Sequence, residues 1–198
     1  KFLADGVSVN YFSSNGTYFG KLSSTRHIKA ERLKKQIYVS DNPKFCLQIG
    51  QSIISSKIHN QIVLLRRYNK NNDAKVNSFI RDMNILERKV KLSSSIEMLM
   101  GFEGLAARHY FNALPLIVND DFKFSGRTRQ PPKDAFNSML SLGYTILLYE
   151  IYAEIENRGF SPYIGIIHSD RNGHPALASD LMEEWRSVVV DSVVMSLV

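Results

Sequence analysis

A chain of 198 residues with 44% apolar content can bury a sizeable core as one large domain or two small ones, which excludes wholesale disorder. Its single cysteine, Cys46, excludes an internal disulfide and a thiolate zinc cluster and fits a reducing cytosol, and neither a signal peptide nor a membrane-spanning run is legible. The net charge of +6 is unevenly spread: residues 21–91 hold 16 Lys or Arg against 5 acids, and residues 92–198 hold 8 against 13, so a basic half suited to a polyanion precedes an acidic half suited to a hard cation.

Residues 6–22 alternate, with Val7, Val9 and Tyr11 on one strand face and Tyr18, Gly20 and Leu22 on a second strand. Asn15-Gly16 between them signals a hairpin, because a type I′ turn needs positive φ twice. The abrupt start is expected to lie inside a sheet that has lost its N-terminal part. A basic helix is predicted over Lys29–Val39, stopped by Asp41-Asn42-Pro43, with Asn42 as N-cap of the next helix and Pro43 at its first position. That second helix runs to about Tyr68 with Leu47, Ile54, Ile58, Ile62 and Leu65 inward. After a polar break, a third spans Ala74–Lys91 around Phe79, Met83 and Leu86. Ser93, Ser94 or Ser95 caps a fourth helical run over Ile96–Val118, with Glu97 placed for a capping box.

Asn119–Pro132 is a loop carrying Lys123, Arg127 and Arg129. A fifth helix follows Pro131-Pro132 and closes at Gly159. Ser161–Ile167 is an extended apolar connector that delivers His168, and Asn172-Gly173 makes a turn after it. A sixth helix begins near Ala176 and, lacking a stop signal, is expected to run uninterrupted to the end of the chain and to be cut there mid-helix; its very apolar stretch 188–198 reads as buried.

The fourth run contains the stretch that organises the rest, Gly101-Phe102-Glu103-Gly104-Leu105-Ala106-Ala107-Arg108. Glu103 shares a helix face with Leu99, Ala106, Ala107 and Tyr110, so its carboxylate points toward the core and needs a partner there; Arg108 and Arg186 are the candidates. The connector adds His168, with His174 nearby as an alternative, and the last helix adds Asp180, Glu183 and Glu184. Two carboxylates and an imidazole suit Mg²⁺ or Mn²⁺, an ion that can polarise a phosphodiester and bring a water or hydroxyl to attack it. Acids at a helix start also suit the helix dipole, and a lone histidine is more often a hydrogen-bonded core residue.

Taken together, these residues resemble the CRISPR-associated endonuclease and integrase of the Cas-one family. The resemblance rests on Gly101–Phe111, on Phe124-Ser-Gly-Arg-Thr-Arg-Gln-Pro-Pro-Lys-Asp-Ala-Phe-Asn137, on Leu140-Ser-Leu-Gly-Tyr144, on Ser161–His168, on Leu177–Arg186 with Val190-Asp191, and upstream on Lys57-Ile-His-Asn-Gln61 with Leu64-Leu-Arg66. It implies a mainly α chain: residues 1–28 as the C-terminal part of a β-rich N-terminal domain, present as a hairpin remnant, and residues 29–198 as an all-α catalytic domain lacking its C-terminal end. It implies a metal site of Glu103, His168 and Glu183, with Asp180 as a supporting acid and Arg66, Arg108, Arg127 and Arg129 on DNA. It further implies a cytoplasmic homodimer that works with the Cas-two protein, prespacer DNA and the CRISPR repeat, away from any membrane, and inserts new spacers into the array. By the same resemblance the chain is expected to be shorter than the family at both ends, and Trp185 stands where the family usually has Phe. A non-catalytic DNA-binding scaffold of the same family is the competing expectation. A phosphohydrolase acting on small phosphoesters is a third, weakened by the lack of a Walker-type Gly-rich loop.

Overall fold

The computed structural model describes residues 1–7, 9–14, 18–22, 29–129, 131–169 and 171–198. Strands β1 (Val9–Phe12) and β2 (Tyr18–Leu22) pair antiparallel, Val9 opposite Leu22 and Tyr11 opposite Gly20, with a bulge between Tyr11 and Phe12. The Asn15-Gly16 turn expected to join them lies outside the described residues. Among the described residues, everything after the hairpin is helix and loop.

Helix α1 is Ala30–Ser40 and α2 is Pro43–Tyr68. The Asn42 side-chain oxygen accepts from the N–H groups of Lys44 and Phe45 at 3.1 and 3.2 Å, filling donors that the first turn leaves unpaired. In the same way Asp73 caps α3 (Ala74–Lys91), accepting from Lys75 and Val76 at 2.8 and 3.0 Å. Ser95 caps α4 (Ile96–Ala113) by accepting from Met98 at 3.2 Å. With the cap at Ser95, Glu97 falls at the second helical position and cannot close the expected box. Its carboxylate interacts with its own N–H and with Ser95 instead, which holds its pKa below the ordinary glutamate value. The fourth run also stops short of Val118. Pro115 has no N–H to continue the ladder, so the chain tightens into a 3₁₀ turn over Leu114–Leu116.

Helices α2, α3 and α4 pack on one another. Between them lie Ile54, Ile58, Ile62 and Leu65 of α2, Val76, Met83 and Val90 of α3, and Leu99, Ala106 and Tyr110 of α4, all buried. Each large apolar side chain so buried contributes about 1.5–3 kcal/mol. The second layer is α5 (Ala135–Asn157), capped by Asp134 and ended by Gly159, whose φ of +79° is the left-handed geometry glycine adopts without strain. The hairpin rests on it: Lys21 of β2 pairs with Glu156 and lies 5.1 Å from the Tyr152 ring centre.

The last helix departs from expectation. It is not continuous: α6 (Ala176–Met182) gives way to tight turns over 183–185, then a π-helical segment (Arg186–Asp191), then α7 (Ser192–Leu197). A side chain enters the ladder at the break, where Asn60 of α2 donates to the Glu184 carbonyl at 2.9 Å. The apolar run after it is only half covered: Val190, Val194 and Met195 are buried, whereas Val189, Val193 and Leu197 are exposed.

Candidate active site

The break in the last helix turns Glu183 toward α2 and α4. There its Oε2 lies 2.6 Å from the ammonium of Lys57, at angles poor for a hydrogen bond, and its Oε1 lies 2.9 Å from Arg186. The same Lys57 ammonium pairs with Glu103 Oε1 across from α4. Lys57 is the partner that the inward-facing Glu103 requires, in place of the expected Arg108 or Arg186. Arg108 is exposed, and Arg186 serves Glu183 instead. Burial alone would depress the Lys57 ammonium, but the Glu183 and Glu103 carboxylates outweigh burial and raise its pKa. Burial alone would raise the Glu183 carboxyl, but Lys57 and Arg186 outweigh it and hold that group below the ordinary value.

His168 arrives from the connector, which is fixed at both ends. Buried Gln36 of α1 donates to the carbonyls of Ser161 and Ile164 at 2.8 and 3.1 Å and accepts from the Ser161 N–H at 2.8 Å. At the other end, fully buried Asp180 accepts from the N–H groups of Ile166, Ile167 and His168 at 2.6, 2.9 and 3.1 Å. Its Oδ1 also lies 2.5 Å from His168 Nδ1. That contact assigns the donated proton to Nδ1 and leaves Nε2 free of Asp180. It is the leading reason that the His168 imidazole is raised above its ordinary value. Close packing makes the arrangement possible: a Cβ on Gly165 would meet the His168 carbonyl oxygen at 2.6 Å and Ala176 at 2.8 Å.

Glu103, His168 and Glu183 thus line one cavity of about 400 Å³, together with Lys57, Arg127, Arg129, Arg171 and Arg186. Cationic side chains outnumber carboxylates on its walls. His174 lines it too, its ring 6.3 Å from that of His168, while Glu184 lies in a separate apolar groove beside Trp185. Arg127 is half-buried, bonded to Asn137 Oδ1 at 2.9 Å and Ser141 at 3.1 Å, with its guanidinium 5.5 Å from the Tyr144 ring centre. It holds its own loop while facing the cavity. Arg129 is exposed at the rim; Arg66 and Arg108 are exposed and outside the lining. Among the described residues, no three His, Cys, Asp or Glu stand close enough to hold a metal as they are. Lys57 occupies the space between the two carboxylates.

Two site features have no clear sequence signal. Lys57 was legible only as part of a resembling segment, because a lysine on a basic amphipathic helix reads as solvated. Asp191 is fully buried and accepts from the hydroxyls of Tyr110 and Tyr144, both at 2.6 Å; Arg186 lies over that Tyr144 ring at 4.8 Å. Arg186 therefore links the Glu183 carboxylate to this buried cluster.

Comparison with known proteins shows the family. The family model for CRISPR associated protein Cas1 matches residues 1–198. A CRISPR-associated endonuclease Cas1 from Mycobacterium tuberculosis is 43% identical over 96% of this chain and 56% of its own length. One from Thermus thermophilus is 39% identical over 98% of this chain and 56% of its own. The chain thus spans a little over half the length of these relatives. A solved partial Cas6-RT-Cas1–Cas2 complex superposes with a TM-score of 0.82 at 33% identity, covering 99% of this chain and 59% of that one. By these matches the chain belongs to the CRISPR-associated protein Cas1 family.

Proposed function

We propose that residues 29–198 form the catalytic unit of a metal-dependent DNA endonuclease and integrase that inserts new spacers into a CRISPR array, and that residues 1–28 belong to a β-rich domain. The observation that carries this reading is the convergence of Glu103, His168 and Glu183, from three separate elements, on one cavity walled by arginines. The donor set fits a hard divalent cation: two carboxylates and an imidazole whose Nδ1 is already committed, with Glu183 Oε2 buried and short of a well-directed hydrogen bond. Glu103, Glu183 and His168 Nε2 would hold Mg²⁺ or Mn²⁺, which when bound polarises a phosphodiester and lowers the pKa of an attacking hydroxyl or water.

The chain's own groups do the rest. Asp180 fixes the His168 tautomer and the path of the connector. Arg127, Arg129 and Arg171 bind phosphate oxygens and orient the strand across the cavity. Arg108 and Arg66, exposed on α4 and α2, contact DNA beyond the reacting phosphate. A prespacer 3′-hydroxyl attacking a repeat phosphodiester forms the new P–O bond as the old one breaks and releases a repeat 3′-hydroxyl, which is joining; water attacking in its place releases the same hydroxyl, which is cutting. The whole protein acts as a homodimer with a Cas2 partner; the Cas2 part of this reading is supported by the Cas1–Cas2 assembly named for the similar solved structure.

The test is a strand-transfer assay with Mn²⁺, a supercoiled plasmid carrying a CRISPR repeat, a short duplex with free 3′-hydroxyls and a Cas2 protein. Joined product that disappears in Glu103→Ala is expected. Full joining in Glu103→Ala contradicts the reading, and normal DNA binding with neither joining nor cutting in the wild type favours a scaffold.

A further inference from the structure

Lys57 is unusual for a charged residue on a helix surface. Its side chain is 9% exposed, and its ammonium contacts carboxylates from two different elements, Glu103 of α4 and Glu183 in the turn after α6. A lysine serving only to neutralise a buried acid needs one partner; this one stands between the two acids read above as ligands. Arg186 already pairs with the other oxygen of Glu183, so the two carboxylates are balanced by two cations before any metal arrives. A divalent ion entering between Glu103 and Glu183 would meet an ammonium a few ångströms away in a half-buried site, where like charges repel strongly.

We propose that Lys57 is an internal counter-ion: it occupies the gap between Glu103 and Glu183 in the metal-free protein, competes with the divalent cation for them, and swings into the adjoining cavity when the cation binds. The proposal rests on the metal reading of Glu103 and Glu183. The flexible four-carbon stem allows the swing while α2 stays in place, and the cavity of about 400 Å³ that Lys57 itself lines gives it room. The device keeps two buried carboxylates folded and close together without metal, at the cost of weaker metal binding.

The test compares wild type with Lys57→Met, which removes the charge and keeps most of the unbranched stem. Both are stripped with EDTA and titrated with Mn²⁺, the free aquo ion being counted by electron paramagnetic resonance. Binding about tenfold tighter or more in Lys57→Met is expected; equal or weaker binding overturns the proposal. Thermal unfolding of the same samples is a second readout. Lys57→Met is expected to melt below wild type in EDTA and to gain more from Mn²⁺, whereas equal gains count against competition. A third readout needs no variant. Amine acylation followed by mass spectrometry is expected to find Lys57 protected in EDTA and modified severalfold faster with Mn²⁺, while exposed Lys70 is unchanged; a Lys57 equally protected with Mn²⁺ bound overturns the displacement. If neither protein binds Mn²⁺, the metal reading falls and takes this proposal with it. If both bind and the Lys57 comparisons are flat, the proposal falls alone.

Discussion

At the scale of single residues, Asp180 and Asp191 show how one buried carboxylate can brace a site and another can load it with pH dependence. Asp180 fills three backbone donors and the His168 ring, so Asp180→Ala leaves those donors unpaired. A loss of about 3 kcal/mol or more is expected in urea unfolding. Asp180→Asn is expected to keep more of the fold and to weaken metal affinity or activity by about 10–100-fold, as loss of an orienting partner does. Asp191 is pushed by burial from 3.8 up to about 6, against its two tyrosine hydrogen bonds. Because the folded value lies above the unfolded one, the fold binds this proton more tightly. Stability from this group is therefore present at low pH and lost as pH rises from about 4 to about 6. Relative to wild type, Asp191→Asn is expected to gain on the order of 2–3 kcal/mol between pH 4 and pH 7. A difference that stays constant across that range would contradict the assignment.

Among the elements, the features legible in the sequence are those set by neighbours a few residues away. The ends of α2 and α3 follow from Asn42-Pro43 and Asp73, whose caps are local chemistry, and the expected bounds at Tyr68, Ala74 and Lys91 hold. The inward face of Glu103 was legible for the same reason, since Leu99, Ala106 and Tyr110 share it and are buried. The interruption of the last helix was not, because the group that enters its ladder, Asn60, lies more than a hundred residues upstream. Lys57 escaped for a related reason: its second partner is set by that interruption. The connector gives the element-scale test. Gly165→Ala places a methyl against the His168 carbonyl oxygen and Ala176, which cannot both give way. About 1–3 kcal/mol of stability is expected to go with it, and His168 is expected to shift, measured as a loss of activity larger than that of an exposed Gly104→Ala control.

Over the whole molecule, the basic first half supplies helices whose surface charge faces solvent, and the acidic second half supplies the buried carboxylates; the cavity lies where α2 and α4 meet the connector and the last helix. Under the proposed function such a surface would make DNA affinity salt-dependent. Fluorescence anisotropy with a short duplex is expected to show a fall of about 10³-fold or more between 50 and 200 mM salt if six or more phosphates are contacted; a flat response would remove the electrostatic argument. In the proposed function Glu103 and Glu183, 80 residues apart, act as one site with His168. The most direct test is the Mn²⁺-dependent rate of plasmid nicking in Glu103→Ala, Glu183→Ala and the double variant, with folding checked by circular dichroism. Residues that act as a unit are not additive, so each single variant is expected to lose about 10²-fold or more, as loss of a transition-state contact does, and the double variant no more than the worse single one. Losses that multiply in the double variant would show two independent roles and contradict the account.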